Sequence, residues 1–490
     1  MGFSLLWFPI IMLAREFDMK FKEILEAIKR KFMIRAALAV TMVFMSCSFI
    51  FGSEKRTPER PNIIIILIDA LRRDHLGIYG YSRDTTPNID DFSHNAIVFQ
   101  HAISQSSWTN PSIASLFSSL YPSTHGCVTY FSPDDKSIAA AFLDHKIITL
   151  AEALKEKGYA TGGFVANHWI CSRLQFDQGF DVFDSVNEQK PPASQVSEKA
   201  LKWIAENRAK PFFAYLHYID VHGAYASPAP YDSLFKSSEV REMSAAEQSR
   251  LDYLYLEGAG NNLNYYIDQY DGCIRYVDHH IGEFLRALKK FDLFDNTIII
   301  ITSDHGEAFF EHGFCYHGHS VYNEEIDIPL IIKFPESIRF PGSKHHRVEL
   351  IDVTATIFSL VQYHCPYSVD GWDLLKKSSR ALAKRAVFSQ FITAKKQKSS
   401  RTAIIKDNLK AIYKMHERKV VELYDLREDE KEKNNIVSIE TGKVRKLETM
   451  IDHWSIQKGR KRRKLNLRNS TVAIEDKEKI NQLRSLGYIQ

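Results

Sequence analysis

Imidazoles and carboxylates crowd one stretch of this 490-residue chain: Asp304-His305-Gly306-Glu307 is followed closely by Glu311-His312-Gly313-Phe314-Cys315-Tyr316-His317-Gly318-His319. Histidines kept only for packing seldom cluster so densely. Carboxylate mixed with imidazole suits Zn2+ or a similar divalent ion, whereas a calcium site draws more heavily on oxygen. A second stretch, His217-Tyr218-Ile219-Asp220-Val221-His222, adds two more imidazoles. One histidine there would read as a packed core residue; several converging on one edge read better as ligands or substrate contacts. The third candidate is a hydroxyl. In Ser107-Trp108-Thr109-Asn110-Pro111-Ser112, Pro111 fits a helix's first turn, where its missing N–H costs nothing, so Thr109 lies at a helix N-terminus suited to a tetrahedral oxyanion. Read locally, Thr109 is more readily an N-cap than a nucleophile; the histidines and carboxylates elsewhere reverse that balance. Six cysteines, at 47, 127, 171, 273, 315 and 365, form no Cys-x-x-Cys pair, which argues against a zinc ribbon or a thioredoxin-like site.

These side chains need strands to deliver them. Asn62-Ile63-Ile64-Ile65-Ile66-Leu67-Ile68 is a continuous apolar run, as expected of a parallel strand covered on both faces, and Asp69 ends it. Residues 297–303 repeat the pattern and end in Asp304. Ligands of open α/β sheets bind beyond the C-terminal ends of the strands, so the two carboxylates are expected to share a site. Helical periodicity at 149–157 and 277–289 alternates with strand-like runs at 159–165 and 211–217, the signature of an α/β fold. After about residue 380 come short amphipathic runs at 386–388, 402–406, 409–414 and 420–423, separated by polar turns, which predict a small antiparallel sheet. The basic run at 458–464 is read as a solvated surface segment, with contact to anionic lipid or glycan as the lesser reading.

With 44% hydrophobic and 25% charged residues the chain is an ordinary globular one, not disordered, collagenous or polytopic. Sixty-four basic against 60 acidic residues give +4, too small a bias to imply nucleic acid. Residues 36–51 are uncharged and apolar, preceded by Lys29, Arg30, Lys31 and Arg35 and followed by Gly52-Ser53-Glu54-Lys55-Arg56. This predicts a signal peptide or a single membrane anchor, short against the roughly 20 residues of a spanning helix, and hence an exported, periplasmic or otherwise extracytoplasmic protein. Ser46-Cys47 offers a lipoprotein alternative that Phe44 and Met45 fit poorly. Because another apolar stretch, 1–14, lies upstream, Met19 or Met33 is the more conventional start. Five cysteines would remain after leader removal, so at least one thiol stays unpaired within the chain.

From about Pro61 to Asn435 the chain resembles the sulfatase-like branch of the alkaline phosphatase superfamily. The resemblance is carried by Asp69-Ala70-Leu71-Arg72-Arg73-Asp74-His75-Leu76-Gly77-Ile78-Tyr79-Gly80 and by Thr109 to Ser112 continuing to Leu120-Tyr121-Pro122-Ser123-Thr124-His125-Gly126. Gly179-Phe180-Asp181-Val182-Phe183-Asp184, Tyr270-Asp271 through Asp278, the Asp304 loop, Glu422-Leu423-Tyr424-Asp425-Leu426 and the closing Leu483-Arg484-Ser485-Leu486-Gly487-Tyr488 add to it. Their order and spacing together are far more specific than any one piece. The resemblance implies a three-layer α/β sandwich with a large, mostly parallel central sheet and a small C-terminal antiparallel sheet. The expected division is 1–57 leader or anchor, 58–378 catalytic domain, 379–440 small β subdomain and 441–490 basic tail.

Sulfatases of the usual kind oxidise a Cys or Ser to formylglycine and hold Ca2+ through an Asp-Asp pair and a later Asp-Asn or Asp-Gln pair. Here Thr109 stands at the nucleophile, Ile113 at the usual Arg, Ala70 at the second Asp, and Asp304-His305 at the later pair. Those positions resemble the zinc site of the superfamily's phosphoethanolamine and glycerol-phosphate transferases and phosphodiesterases. By that likeness Asp69, Thr109, Asp304 and His305 hold one metal, with Thr109 as nucleophile; His222 and His317 serve catalysis near a second metal or the substrate phosphate, and His319 joins them less clearly. The implied cofactor is one or two divalent ions, zinc first, calcium or manganese otherwise. The implied activity is cleavage or transfer of a phosphate ester, ahead of a sulfate ester, on a lipid or glycan, with membrane contact through the N-terminal segment. A formylglycine-independent sulfatase and an inactive surface-binding protein that keeps the fold are the alternatives.

Overall fold

A computed structural model describes residues 60–131, 138–185, 191–251, 259–392, 399–467 and 471–474, with scattered positions between 19 and 33. The chain forms two compact units, Met1–Glu59 and Arg60–Gln490. In the first, the described positions are helical and Lys29 pairs with Glu26 at 3.2 Å. The apolar run at 36–51, Cys47 and the closing motif at 483–488 lie outside the described residues. Among the described residues no helix is long and apolar enough to cross a membrane.

The second unit is built on an eight-stranded sheet. Its order is Val348–Glu349, Ile97–Ile103, Asp327–Lys333, Thr297–Thr302, Asn62–Ile68, Phe212–Tyr218, Ala160–Val165 and Val182–Ser185. Only Asp327–Lys333 runs against the others. The isoleucine run explains the layering. Ile64, Ile66 and Ile68 enter one hydrophobic core and Ile63, Ile65 and Leu67 the other, one on each face; Ile299 and Ile301 against Ile298 and Ile300 do the same. Helices Ala193–Asn207 and Leu263–Lys290 cover the first face, through residues such as Ile204 and Phe284. Helices Thr109–Ser118, Leu150–Glu156 and Ile351–Leu360 cover the second, through residues such as Phe117, Leu154 and Ile357. This is the expected three-layer sandwich. The helix expected at 277–289 begins earlier, at Leu263, and the one expected at 149–157 starts on a capping box between Thr149 and Glu152.

The small sheet follows as expected, with antiparallel strands Val387–Phe391, Arg401–Lys406, Leu409–Lys414 and Lys419–Asp425 in sequence order. Ile404, Ala411, Tyr413 and Leu423 pack under Leu447, Ile451 and Trp454 of a 24-residue helix, Thr441–Lys464; Ala403, Ile405 and Ile412 face Ile103, Val321 and Ile326 of the larger domain. The segment expected as a basic tail is therefore, up to Lys464, a packed element. Nor is the basic run merely solvated: Lys458 and Lys461 pair with buried Asp370 at 2.8 and 2.6 Å, and Arg462 donates to Thr124 O. The two sheets are joined by a buried guanidinium, Arg385, which bonds Glu349 and Asp352 while Phe388 N donates to Glu349 at 2.8 Å.

Candidate active site

Register assembles the site. Leu67 pairs with Thr302 on one side and with His217 on the other, and His217 pairs with Val165. The C-terminal ends of four adjacent strands thus bring Asp304, Asp69, His217 and Asn167 side by side. Asp69, His217 and Asp304 are all buried and each offers a donor atom within 4.8 Å of the others. His217 Nε2 lies 3.0 Å from Asp69 Oδ2, which also accepts from Asn167 Nδ2 at 2.5 Å. Tyr215 OH lies 3.0 Å from His217 Nδ1. Burial pushes the His217 pKa down to about 4, so the imidazole is neutral at neutral pH.

Behind Asp69 the backbone turns sharply, with Ala70 at φ 58. A non-glycine residue in this left-handed region is held there by its surroundings. Ala70 N donates to Asp304 Oδ1 at 3.2 Å, and Ala70 O accepts from Tyr270 OH at 2.7 Å. His305 N donates to the same Asp304 oxygen at 3.0 Å. Oδ1 is thus taken by two amides, while Oδ2 is buried without a hydrogen-bond partner among the described residues. Burial first, then the nearby Asp69 carboxylate, raises the Asp304 pKa.

Thr109 faces this pair from across the site. It is the first helical residue, with extended Trp108 as the cap, and no side-chain cap bond forms. The N-cap reading is therefore overturned: Thr109 Oγ1 sits 3.1 Å from His305 Nε2 instead. His305 Nδ1 bonds Gly306 O at 2.9 Å, and since a carbonyl only accepts, Nδ1 carries the proton and Nε2 presents its lone pair. That lone pair is also 3.4 Å from Asp304 Oδ2 and 3.6 Å from Asp69 Oδ1. Two carboxylate oxygens, a nitrogen lone pair and a hydroxyl converging in a dry interior repel one another unless a cation or proton lies among them. The donor set thus fits a divalent metal.

The remaining histidines form the outer wall. The His317 ring lies tilted against that of His305 at 4.2 Å and meets His222 edge-on at 4.7 Å. Its Nδ1 is 2.9 Å from Glu307 Oε1, and Tyr225 OH donates to Glu307 Oε2 at 3.1 Å. His222 Nδ1 lies 2.8 Å from Gly223 O. Burial lowers His317 to about 4. Gly318, at φ +73, is needed for this packing, because a Cβ there would meet the Trp108 ring at 2.0 Å. His319, grouped with them in the sequence, is exposed; its ring stacks on Phe314 at 6.0 Å and its backbone N–H donates to Glu325 Oε2 at 3.3 Å. Sequence reasoning had singled out His217 but not joined it to the carboxylates, and it had missed Asn167 altogether. A polar residue just past the buried run at 159–165 was the available signal.

Residues 61–363 match the family Sulfatase, and residues 310–456 match N-sulphoglucosamine sulphohydrolase, C-terminal. An arylsulfatase of Clostridium perfringens is 23% identical over 384 residues, covering 64% of this chain and 78% of that protein. The multifunctional alkaline phosphatase superfamily protein PehA of Trinickia caryophylli is 25% identical over 410 residues, covering 64% and 76%. In fold the chain is similar to the phosphonate monoester hydrolase of Agrobacterium radiobacter, with a TM-score of 0.65 at 18% identity over 81% of this chain and 95% of that one. It is similar also to BT4656 in complex with its substrate D-glucosamine-2-N,6-O-disulfate, at 0.64 and 18% over 81% and 99%. The family match takes in the strand before Asp69, the helix of Thr109 and the loop beyond Asp304, every element that builds this site, and the chain therefore belongs to the sulfatase family, as an ester-cleaving hydrolase of the alkaline phosphatase superfamily.

Proposed function

We propose that Thr109 is the nucleophile of a metal-dependent phosphate-ester hydrolase or phosphotransferase. The observation that carries this reading is the 3.1 Å approach of Thr109 Oγ1 to His305 Nε2 beside two buried carboxylates. A divalent cation held by Asp69, Asp304, His305 and Thr109, with His217 close by, would supply the positive charge that makes a threonine hydroxyl reactive at neutral pH. Zinc suits the nitrogen and oxygen donors; manganese and calcium are the other candidates. Thr109 Oγ1, its proton lost to solvent, bonds to phosphorus as the bond to the ester oxygen breaks in line and that oxygen takes up a proton, giving phospho-Thr109, which water or an acceptor alcohol releases. The helix that starts at Thr109 directs its amides and positive dipole end at the oxyanion. His317 and His222 each engage an acceptor through Nδ1, so in neutral form each offers an Nε2 lone pair, which suits a second cation beside the transferred group.

Phosphate takes precedence over sulfate because residue 109 is not an oxidisable Cys or Ser and Ile113 replaces the arginine of the sulfatases it resembles. Sulfate-ester hydrolysis without formylglycine is the second reading, favoured by relatives named as arylsulfatase and N-acetylgalactosamine-6-sulfatase. A glycan- or lipid-borne ester met outside the cytoplasm fits the apolar and basic residues at 29–51. The complete set Asp69, Thr109, Asp304 and His305 counts against an inactive binding protein. Turnover of aryl phosphate and aryl sulfate by Thr109→Ala tests the reading: both are expected to fall by about a thousandfold or more. A loss confined to sulfate would reverse the substrate preference, and unchanged turnover of both would remove Thr109 from the mechanism.

A further inference from the structure

Among the described residues, three groups of imidazoles and carboxylates bring donor atoms within 4.8 Å of one another: Asp69 with His217 and Asp304, His101 with Asp327 and Glu430, and His279 with His280 and Glu283. The first is the site above. The second is already filled by a guanidinium, since Arg73 reaches Asp327 at 3.1 Å and Glu430 at 2.8 Å. An added cation there would meet a fixed positive charge.

The third group has no such occupant. Glu283 lies one turn beyond both histidines on the helix Leu263–Lys290, so it faces His279 as its i+4 neighbour and His280 as its i+3 neighbour. Its Oε1 is 3.6 Å from His279 Nε2 and its Oε2 is 2.9 Å from His280 Nδ1. Among the described residues no lysine or arginine is paired with it. The rings are held before any ligand arrives: His280 packs edge-on to Tyr276 at 4.6 Å, His279 lies 6.1 Å from Tyr231, and the two imidazoles stand at 86° to each other. The His280 side chain is 15% exposed, against 44% for His279 and 53% for Glu283, so the donors open to solvent from a partly buried base. Burial lowers the His280 pKa, which favours its neutral, ligating form.

We propose that His279, His280 and Glu283 form a divalent transition-metal site, separate from the ester-cleaving centre, on the solvent-facing side of this helix. Two imidazole nitrogens and one carboxylate oxygen leave room for water to complete four-coordinate zinc, and the same donors suit nickel or copper. Binding at His280 Nδ1 moves that nitrogen's proton to Nε2, and because only the neutral ring can ligate, uptake weakens as pH falls. The site lies nine residues beyond Tyr270, whose hydroxyl bonds Ala70 O next to Asp69, or about 14 Å along the helix axis. It therefore fills and empties independently of the catalytic reading.

The test is calorimetric titration of Zn2+ into the holoenzyme with its catalytic metal in place, using wild type, His279→Ala and Glu283→Gln. Wild type is expected to take up one further ion per chain. Each variant is expected to weaken that event by more than about tenfold while ester turnover is unchanged. Co2+ added in the same way should give visible absorption in wild type that both variants lack. The proposal fails if wild type takes up no ion beyond its catalytic complement, or if the variants bind the additional ion as tightly as wild type.

Discussion

The two oxygens of the Asp69 carboxylate have different partners. Oδ2 takes hydrogen bonds from Asn167 and His217, while Oδ1 turns toward His305 at 3.6 Å. Removing the amide leaves Oδ2 with fewer donors and lets the carboxylate swing. Asn167→Ala is therefore expected to fold as wild type but to lose about 10- to 100-fold in metal affinity or activity, as removal of a group orienting a metal ligand typically does. Metal content after dialysis, set beside kcat/KM, checks it; values equal to wild type would mean that Asn167 only fills space. Asp69 and Asp304 were legible in the sequence because each stands where a strong run of apolar residues stops, whereas Thr109 and His305 joined them as one set through the family resemblance. Asn167 was not, because an asparagine just after a strand is equally a turn residue. Its contact with Asp69 depends on which strands are neighbours, a long-range property that no local pattern carries.

At the scale of elements, the isoleucine-rich strands were readable because burial on both faces demands apolar residues at every position. The long helix was harder. Its first turns bury Asp268, Tyr270 and Asp271 alongside Leu263 and Tyr266, with Arg83 and His75 paired to the acids, so the apolar periodicity is broken by charge until residue 277. Buried polar side chains elsewhere set the acid stability of the fold. His125 accepts a hydrogen bond from Cys127 N at Nδ1, at 2.9 Å, so its Nε2–H donates to Ser115 Oγ at 3.0 Å. Burial, with the Arg462 charge adding to it, pushes its pKa down to about 3. A depressed histidine pKa means that the unfolded chain binds the proton first. This contribution is intact above the unfolded value of about 6.5 and is lost as pH falls from there toward 3, by at most about 1.4 kcal/mol per pH unit. His125→Gln is expected to be less stable at pH 7 yet to lose less stability between pH 6.5 and 4. Denaturant midpoints across that range check it; equal slopes for the two proteins would contradict it.

On the scale of the whole molecule, the basic C-terminal segment showed charge more plainly than structure. Lysines and arginines dominate residues 458–464, and Leu447, Ile451 and Trp454 are the buried side chains of their helix. Trp454 stacks 4.4 Å from Phe388 and meets Tyr121 edge-on at 4.9 Å, joining the small sheet to the chain that follows the Thr109 helix. Trp454→Ala should cost about 3 kcal/mol in denaturant unfolding and leave the metal affinity of the catalytic centre unchanged; a loss under about 1 kcal/mol would show that this helix contributes little. The central proposal is that Thr109 takes the transferred group. Acid-quenched turnover followed by peptide mass mapping measures this most directly. One phosphoryl group, or one sulfo group with a sulfate ester, is expected on Thr109 of the wild-type enzyme and none in Thr109→Ala. Full turnover by Thr109→Ala, or a group carried on another residue, would contradict it.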